Sequence, residues 1–169
     1  LTRDIGNIWA GAGGPTESVL STMDQIQGIS DLWSYGMGNS SGTFPNYGQL
    51  VVGVPPGHPS SIDTGLSLTE AQSHFSLWSM FASLLYATND VRKRDPAIER
   101  ILLNNESIAI NQDPWTLPAA HLKNVSCNGD HWVRHLSNGD VALLVLNRDA
   151  NATTTRVDFG EFGGGLYRV

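Results

Sequence analysis

The pattern of apolar residues changes close to Pro114, and this change limits the folds that the chain can adopt. Residues 1–113 alternate short apolar runs with helix-like stretches, which is typical of β/α units on a parallel sheet. Residues 114–169 contain short alternating strands and turns, which favour an antiparallel unit. We therefore predict an α/β chain with two domains, residues 1–113 and residues 114–169.

The first part of the chain contains clear helix starts. Ser67 precedes an apolar-periodic run and Glu70 follows three residues later, which is the pattern of a capping box. The apolar residues assigned to this helix are Phe75, Trp78, Met80, Phe81 and Leu84. Asp95 followed by Pro96 predicts a second helix. Another helix is predicted from residue 14 to about residue 27.

Short apolar runs predict strands at residues 50–54, 84–88 and 108–110, and the polar segment 33–48 predicts a surface loop. Asn138-Gly139 separates two alternating segments and predicts a hairpin with a primed turn, to which residues 153–159 add a third strand. His131 and His135 would share one face of that hairpin, and we expect this face to be solvated rather than to bind zinc.

The charge balance excludes some classes of partner. The chain has 10 basic and 16 acidic side chains and a formal net charge of -6, so it has no basic surface for nucleic acid. No apolar run approaches the roughly 18 residues that span a bilayer, which predicts no membrane partner. No motif indicates a metal or another cofactor.

Four Asn-x-Ser/Thr sequons, headed by Asn39, Asn105, Asn124 and Asn151, predict N-glycosylation and hence a secreted or lysosomal protein. The single Cys127 is either a buried thiol or has its partner outside this chain. Residues 38–42 also match the G-x-S-x-G pattern, with Ser40 as nucleophile. A serine esterase is disfavoured because no apolar strand precedes this motif and no helix follows it.

The chain contains two longer motifs, His74-Phe75-Ser76-Leu77-Trp78 through Asn89-Asp90-Val91-Arg92 in residues 74–92, and Ile108-Ala109-Ile110-Asn111-Gln112-Asp113-Pro114 in residues 108–114. They resemble the H-F-S-L-W…N-D-L-R segment and the V-I-A-I-N-Q-D-P signature of glycoside hydrolase family 27, the melibiase or α-galactosidase family. The resemblance implies the C-terminal part of a (β/α)8 TIM-type barrel followed by an incomplete antiparallel, β-sandwich-like domain. It also implies that Trp78 packs in the core and that Asn89 and Asp90 end a late barrel strand in a structural role.

The resemblance implies a retaining glycosidase with two catalytic carboxylates. Asp4, in a segment similar to the family's W-R-x-x-x-D-I-x-x-x-W, would be the general acid/base. The nucleophile of the family lies on an earlier strand in a K-x-D context, which these 169 residues lack. A complete barrel needs about 250 residues, so the partner of this chain would be the upstream part of the barrel, and we expect the 169 residues alone to be inactive.

The family segment W-N-D-P-D-M-L-V-V-G aligns with residues 44–53 and departs from them at the sugar-binding positions. Asn46 replaces its first Asp and Gly48 replaces its second, sugar-contacting Asp. Gln49 replaces the adjacent Met, and we predict that Gln49 binds a sugar hydroxyl. Residues 54–64 form an insertion that a surface loop can tolerate.

The function that this resemblance implies is hydrolysis of terminal α-galactosides by double displacement. The substrate would be a small molecule or oligosaccharide that ends in α-galactose. The alternative is a non-catalytic carbohydrate-binding paralogue of the same fold. The preferred terminal sugar stays open between galactose, N-acetylgalactosamine and arabinopyranose.

Overall fold

The structure, a computed structural model, describes residues 8–10, 44–46, 49–56, 65–93, 95–122, 129–148, 151–157 and 160. Over these residues it is an α/β arrangement of one parallel pair of strands, three helices and a three-stranded antiparallel sheet. Strands β1 (Ile8–Ala10) and β2 (Phe44–Asn46) pair in parallel. The prediction of a loop over residues 33–48 is therefore wrong at β2. The predicted helix over residues 14–27 lies outside the described residues.

Helix α1 (Leu68–Met80) confirms the predicted capping box. The backbone N–H of Glu70 donates to Ser67 Oγ over 3.3 Å, and the N–H of Ser67 donates to Glu70 Oε2 over 2.8 Å. The reciprocal bonds satisfy two donors that an uncapped helix leaves without partners. The buried residues of α1 include Phe75, Trp78 and Met80, as predicted, whereas Leu84 lies beyond the helix and is exposed.

A Schellman motif ends α1. Ala82 takes the left-handed conformation, with φ 51°, and its N–H donates to the carbonyl of Ser79 over 3.4 Å. The N–H of Ser83 donates to the carbonyl of Trp78 over 3.1 Å. The chain therefore turns sharply away from the helix axis immediately after Phe81.

Helix α2 (Pro96–Leu102) begins at the predicted cap, where Asp95 Oδ1 accepts from the N–H of Ala97 over 2.8 Å. Helix α3 (Asn105–Asn111) occupies the segment for which a strand was predicted over residues 108–110, so that prediction is wrong. Asn104 caps α3 by accepting from the N–H of Ser107 over 2.9 Å. This cap and the packing of α3 against α1 outweigh the strand preference of the two β-branched isoleucines.

The antiparallel sheet has the order β3 (Ala120–His121), β4 (Asp130–His135) and β5 (Val141–Leu146). The predicted hairpin is confirmed as β4–β5, with His135 opposite Val141. The prediction of a primed turn is wrong. A type I′ turn needs a positive φ at both Asn138 and Gly139, and only Gly139 has one, 91°. The loop instead has three residues, 137–139, in a type I turn that ends on a left-handed glycine.

The third strand of this sheet is β3 and not the predicted segment 153–159, since residues 153–157 form no strand and residues 158 and 159 lie outside the described residues. The expected solvation of the strand face with two histidines is wrong at His131. His131 is buried, and its Nε2 lies 2.9 Å from Thr155 Oγ1, whereas His135 is exposed.

Pairing at the two remaining predicted strands is limited to one parallel bridge between Leu50 and Ala87. Residues 52 and 53 turn instead of continuing the strand, with the N–H of Val54 donating to the carbonyl of Val51. The prediction that residues 84–88 are buried is wrong, because Tyr86 is 66% exposed.

One hydrophobic core joins the residues before and after Pro114. Helix α1 lies at its centre and contacts α2, α3, β4 and β5. Trp132 of β4 packs edge-on against Phe81, with ring centroids 5.0 Å apart. The other large side chains that are almost fully buried include Leu50, Leu77 and Trp78.

Polar side chains join α1 to the antiparallel sheet, and we call the three residues Asn111, Asp113 and Arg134 the joint. Asn111 Nδ2 donates to the carbonyls of Trp78 and Ser83, over 3.0 and 2.9 Å. Arg134, which is 1% exposed, donates to the carbonyl of Ser79 over 2.8 Å. The joint therefore supplies donors to carbonyls that the end of a helix leaves without helical partners.

Asp113 completes the joint from the other side. Its Oδ2 accepts from both the N–H and the Oγ of Ser137 in the hairpin turn, each over 2.8 Å. Burial alone raises the pKa of Asp113, but the hydrogen bonds from Ser137 and Trp115 and the charge of Arg134 lower it overall. Burial lowers the pKa of Arg134 to about 10, against the opposing effect of Asp113. Both groups are thus charged at neutral pH.

We predict that Asn111→Leu lowers the free energy of unfolding by about 2 kcal/mol, because the buried carbonyl of Ser83 then lacks its donor. Urea unfolding followed by tryptophan fluorescence measures this change. Asn105→Leu is the matched control, since Asn105 is exposed at the start of the same helix and should change stability by less than about 0.5 kcal/mol. Equal losses in the two variants would refute the joint.

Candidate active site

The parallel bridge between Leu50 and Ala87 defines one edge of the structure, which we call the parallel edge: residues 49–53 and 87–90. The N–H of Leu50 donates to the carbonyl of Tyr86 over 3.0 Å, and the N–H of Thr88 donates to the carbonyl of Leu50 over 3.3 Å. Because the pairing is parallel, both segments end on the same side. Side chains that follow parallel strands meet at that side, where α/β folds bind ligands.

Gln49 lies at this edge with its side chain exposed. Leu50 is 1% exposed and points into the core, so alternation along the segment turns Gln49 to the opposite, open face. The parallel register places Tyr86 beside Gln49 on that face. An amide next to an exposed aromatic ring can bind a polar ligand that also has an apolar face, such as a sugar.

Asn89 and Asp90 follow the bridge at the end of the second segment, as predicted. Asp90 holds Arg92 in a two-pronged ion pair, with Nε–Oδ1 2.8 Å and Nη2–Oδ2 3.0 Å. The hydrogen bonds from Arg92 lower the pKa of Asp90. A carboxyl whose pKa is lowered is a poor proton donor, so this geometry fits a structural role for Asp90 and not general acid catalysis.

Gly53 brings the two segments of the edge together. It takes φ 76°, and a Cβ at this position would lie 2.7 Å from Cγ2 of Ile98 and 3.6 Å from Cβ of Asn89. A glycine is therefore required here both by the backbone conformation and by the close approach of α2. The turn at Gly53 fixes where residues 49–51 leave the edge.

His74 of α1 contacts the parallel edge, and in the sequence it stands out only as the first residue of the H-F-S-L-W motif. The residue is 3% exposed, and its ring stacks on Trp78 with centroids 3.9 Å apart. The N–H of Val51 donates to His74 Nε2 over 3.4 Å. The one sequence signal for this role is a histidine within the apolar stripe of a helix.

Two grooves lie beside the described helices, and Gln49 lines neither. The larger, of about 540 Å³, lies between the three helices beside Gln72 and Arg100. The other, of about 410 Å³, lies between α2 and residues 85–91 and is mainly apolar. The apolar groove offers few partners for sugar hydroxyls, and the larger groove is lined by no residue of 49–53. The segment that aligns with the sugar-binding segment of the family therefore keeps the face with Gln49 as the candidate site.

Several predicted site residues cannot be placed. Asp4, Asn39 and Asn124 lie outside the described residues, as do Ser40 and Cys127. Asn105 and Asn151 are both exposed. In the described ranges, no three His, Cys, Asp or Glu side chains lie together as metal ligands would. Each helix of the described part is too short or too polar to cross a lipid bilayer.

Comparison with known proteins gives consistent matches. Residues 23–113 match the melibiase family described as α-galactosidase A. Alpha-galactosidase 2 of Arabidopsis thaliana is 30% identical over 163 residues, which are 95% of this chain and 37% of the plant protein. Alpha-galactosidase A of Cellvibrio japonicus is 37% identical over 111 residues, which are 62% of this chain and 27% of the bacterial protein.

Solved structures agree with these matches. A candidate α-galactosidase/melibiase from Bacteroides fragilis superimposes with a TM-score of 0.71 and 32% identity, over 85% of this chain and 31% of that one. This chain thus spans about a third of the length of the proteins that it matches.

We predict that Gly53→Ala destabilises the protein by about 2–3 kcal/mol, because the added methyl group meets Ile98 in a conformation that alanine disfavours. Gly139→Ala is the matched control: it has φ 91° but open space around it, so only the backbone term of about 1 kcal/mol applies. Thermal unfolding measures both changes. A Gly53 variant that is no less stable than the Gly139 variant would contradict the close approach at the edge.

Proposed function

Since this chain belongs to the melibiase family of α-galactosidase A, we propose that it is the C-terminal part of a retaining α-galactosidase-like glycoside hydrolase. The complete protein hydrolyses terminal α-galactosides of small molecules or oligosaccharides by double displacement. The observation that carries this proposal is the family match over residues 23–113, which includes every segment of the parallel edge.

The architecture proposed for the complete protein is a (β/α)8 barrel followed by an antiparallel β domain. The parallel edge and helices α1 to α3 are consistent with late β/α units, and β3 to β5 with the start of the second domain at residue 114. The remaining strands of the barrel would lie in the upstream part of the complete protein. Those strands also carry the nucleophile.

Asp4 is the proposed general acid/base. In the first step its carboxyl protonates the leaving oxygen while the nucleophilic carboxylate attacks the anomeric carbon. In the second step the Asp4 carboxylate removes a proton from the water that hydrolyses the covalent intermediate. The resemblance of the segment around Asp4 and Trp9 to the family pattern supports this role, and the two carboxyl groups would lie about 5 Å apart.

Gln49 is the proposed partner of a sugar hydroxyl. Its amide can donate and accept, so it can bind a hydroxyl in either sense. Its exposed position on the open face of the parallel edge supports this role. Its place next to Gly48, which aligns with the sugar-contacting Asp of the family segment, also supports it.

The sequons indicate passage through the secretory route, and we propose a secreted or lysosomal location. The exposure of Asn105 and Asn151 is compatible with glycans at both sites. Glycans at Asn39 and Asn124 belong to the same proposal.

A second candidate is a non-catalytic carbohydrate-binding paralogue. The observation that favours it is the loss of both carboxylates from the aligned family segment, where Asn46 and Gly48 stand. Calorimetric titration of the complete protein with galactose, combined with an assay on an aryl α-galactoside, distinguishes the two. Binding without hydrolysis would establish the paralogue and reject the enzyme.

We predict that Asp4→Asn in the complete protein lowers kcat at least about 100-fold on galactosides with poor leaving groups, because no proton then reaches the leaving oxygen. Steady-state kinetics on a disaccharide and on an activated aryl galactoside measure the effect. The rate of the first chemical step should fall less with the aryl galactoside, because its leaving group needs little protonation. Asp63→Asn, in the insertion, is the control. Full activity of the Asp4 variant on the disaccharide would show that Asp4 is not the general acid/base.

We predict that Gln49→Ala raises KM about fivefold to tenfold with a smaller change in kcat, as expected for one lost hydrogen bond to a neutral hydroxyl. Gln72→Ala is the control, since Gln72 is exposed on α1 away from the parallel edge. A KM that does not change in the Gln49 variant would exclude its contact with sugar.

A further inference from the structure

His74 connects the centre of the core to the backbone of the candidate site. Its ring lies on α1, buried against Trp78, and its Nε2 accepts from the N–H of Val51. Val51 follows Gln49 by two residues and lies outside the helix that carries His74. The contact therefore links residues 49–51 to the buried side of α1.

The ring can act as an acceptor only while it is neutral. Burial lowers the pKa of His74 to about 4, and a hydrogen bond with the backbone of Gln49 acts in the opposite direction. No charged side chain of the described residues contributes to this shift, and Glu70, one turn earlier, is exposed and bound to Ser67. His74 is therefore neutral above about pH 4, with Nε2 free of a proton.

We propose that His74 is a positioning residue that fixes the backbone of residues 49–51 and thereby sets the place of Gln49 at the sugar site. This proposal rests on the proposed function for the role of Gln49, but the contact itself does not. The Gln49 side chain makes no hydrogen bond with the described residues, so its position depends on its backbone. The backbone is held on one side by the bridge to residues 86–88 and on the other by His74.

Two substitutions distinguish the loss of the hydrogen-bond acceptor of His74 from the loss of its packing. His74→Gln places an amide oxygen close to the position of Nε2 and keeps an acceptor that does not titrate. His74→Leu fills similar space without an acceptor. His135→Gln is the control, because His135 is exposed at the end of β4.

Hydrogen exchange of the Val51 amide in the complete protein tests the contact without any assay of hydrolysis. We expect exchange about fivefold to tenfold faster in His74→Leu than in the original protein, as one lost hydrogen bond implies, and unchanged exchange in His74→Gln. The Ala71 amide, which donates to Ser67, reports whether α1 stays folded. Equal Val51 exchange in all three proteins, with Ala71 protected, would overturn the proposal.

The pH dependence of Val51 exchange tests the proposal without His74→Leu, and so it remains available if that variant does not fold. In the original protein, protonation of Nε2 below about pH 4 removes the acceptor, so the protection of Val51 relative to Ala71 should fall there. In His74→Gln the ratio should stay constant between pH 6 and pH 3.5, and His135→Gln should behave like the original protein. A constant ratio in the original protein would refute the proposal.

Kinetics connect the contact to the site. We expect His74→Leu to raise KM several-fold with a smaller effect on kcat, and His74→Gln to restore KM. Equal KM in both variants and the original enzyme would reject positioning even if Val51 exchange changes. If the complete protein hydrolyses no galactoside, the proposed function fails, while the exchange experiment still decides whether His74 holds residues 49–51.

Discussion

The carbonyl groups at the C-terminal end of α1 are the constraint on which most of this structure depends. A helix leaves its last carbonyls without helical donors, and here they are buried in the middle of the core. Ser83 and Ala82 supply two donors through the Schellman motif. Asn111 and Arg134 supply the others from the segments that follow, so the end of one helix specifies where α3 and the hairpin must lie.

The residues that hold the end of α1 are different from the residues of the proposed sugar site. The end of α1 lies next to residue 83, before the segment 84–88 begins, whereas the parallel edge begins at residue 87, near the end of that segment. In β/α folds the side before the strands contributes mainly to stability, and the side after them carries the functional groups. Asn111 and Asp113 of the Asn-Gln-Asp signature accordingly have a structural role, and His74 links α1 to the edge through its hydrogen bond with Val51.

The sequence predicted those features whose causes are local. The capping box at Ser67, the Asp95 cap and the hairpin were confirmed because each depends on residues within a few positions. The strand predicted over residues 108–110 was wrong because packing against α1 and the cap at Asn104 outweigh the β preference of isoleucine. The roles of Arg134 and His74 could not be predicted, since their partners lie 55 and 23 residues away in the sequence.

The proposed chemistry requires Asp4 and the parallel edge to face one sugar. A crystal structure of the complete protein with galactose bound measures this directly. The account predicts an Asp4 carboxylate oxygen within hydrogen-bonding distance of the anomeric oxygen, a second carboxyl group about 5 Å from it, and the Gln49 amide on a hydroxyl of the same sugar. An Asp4 side chain on the outer surface, remote from the bound galactose, would contradict it.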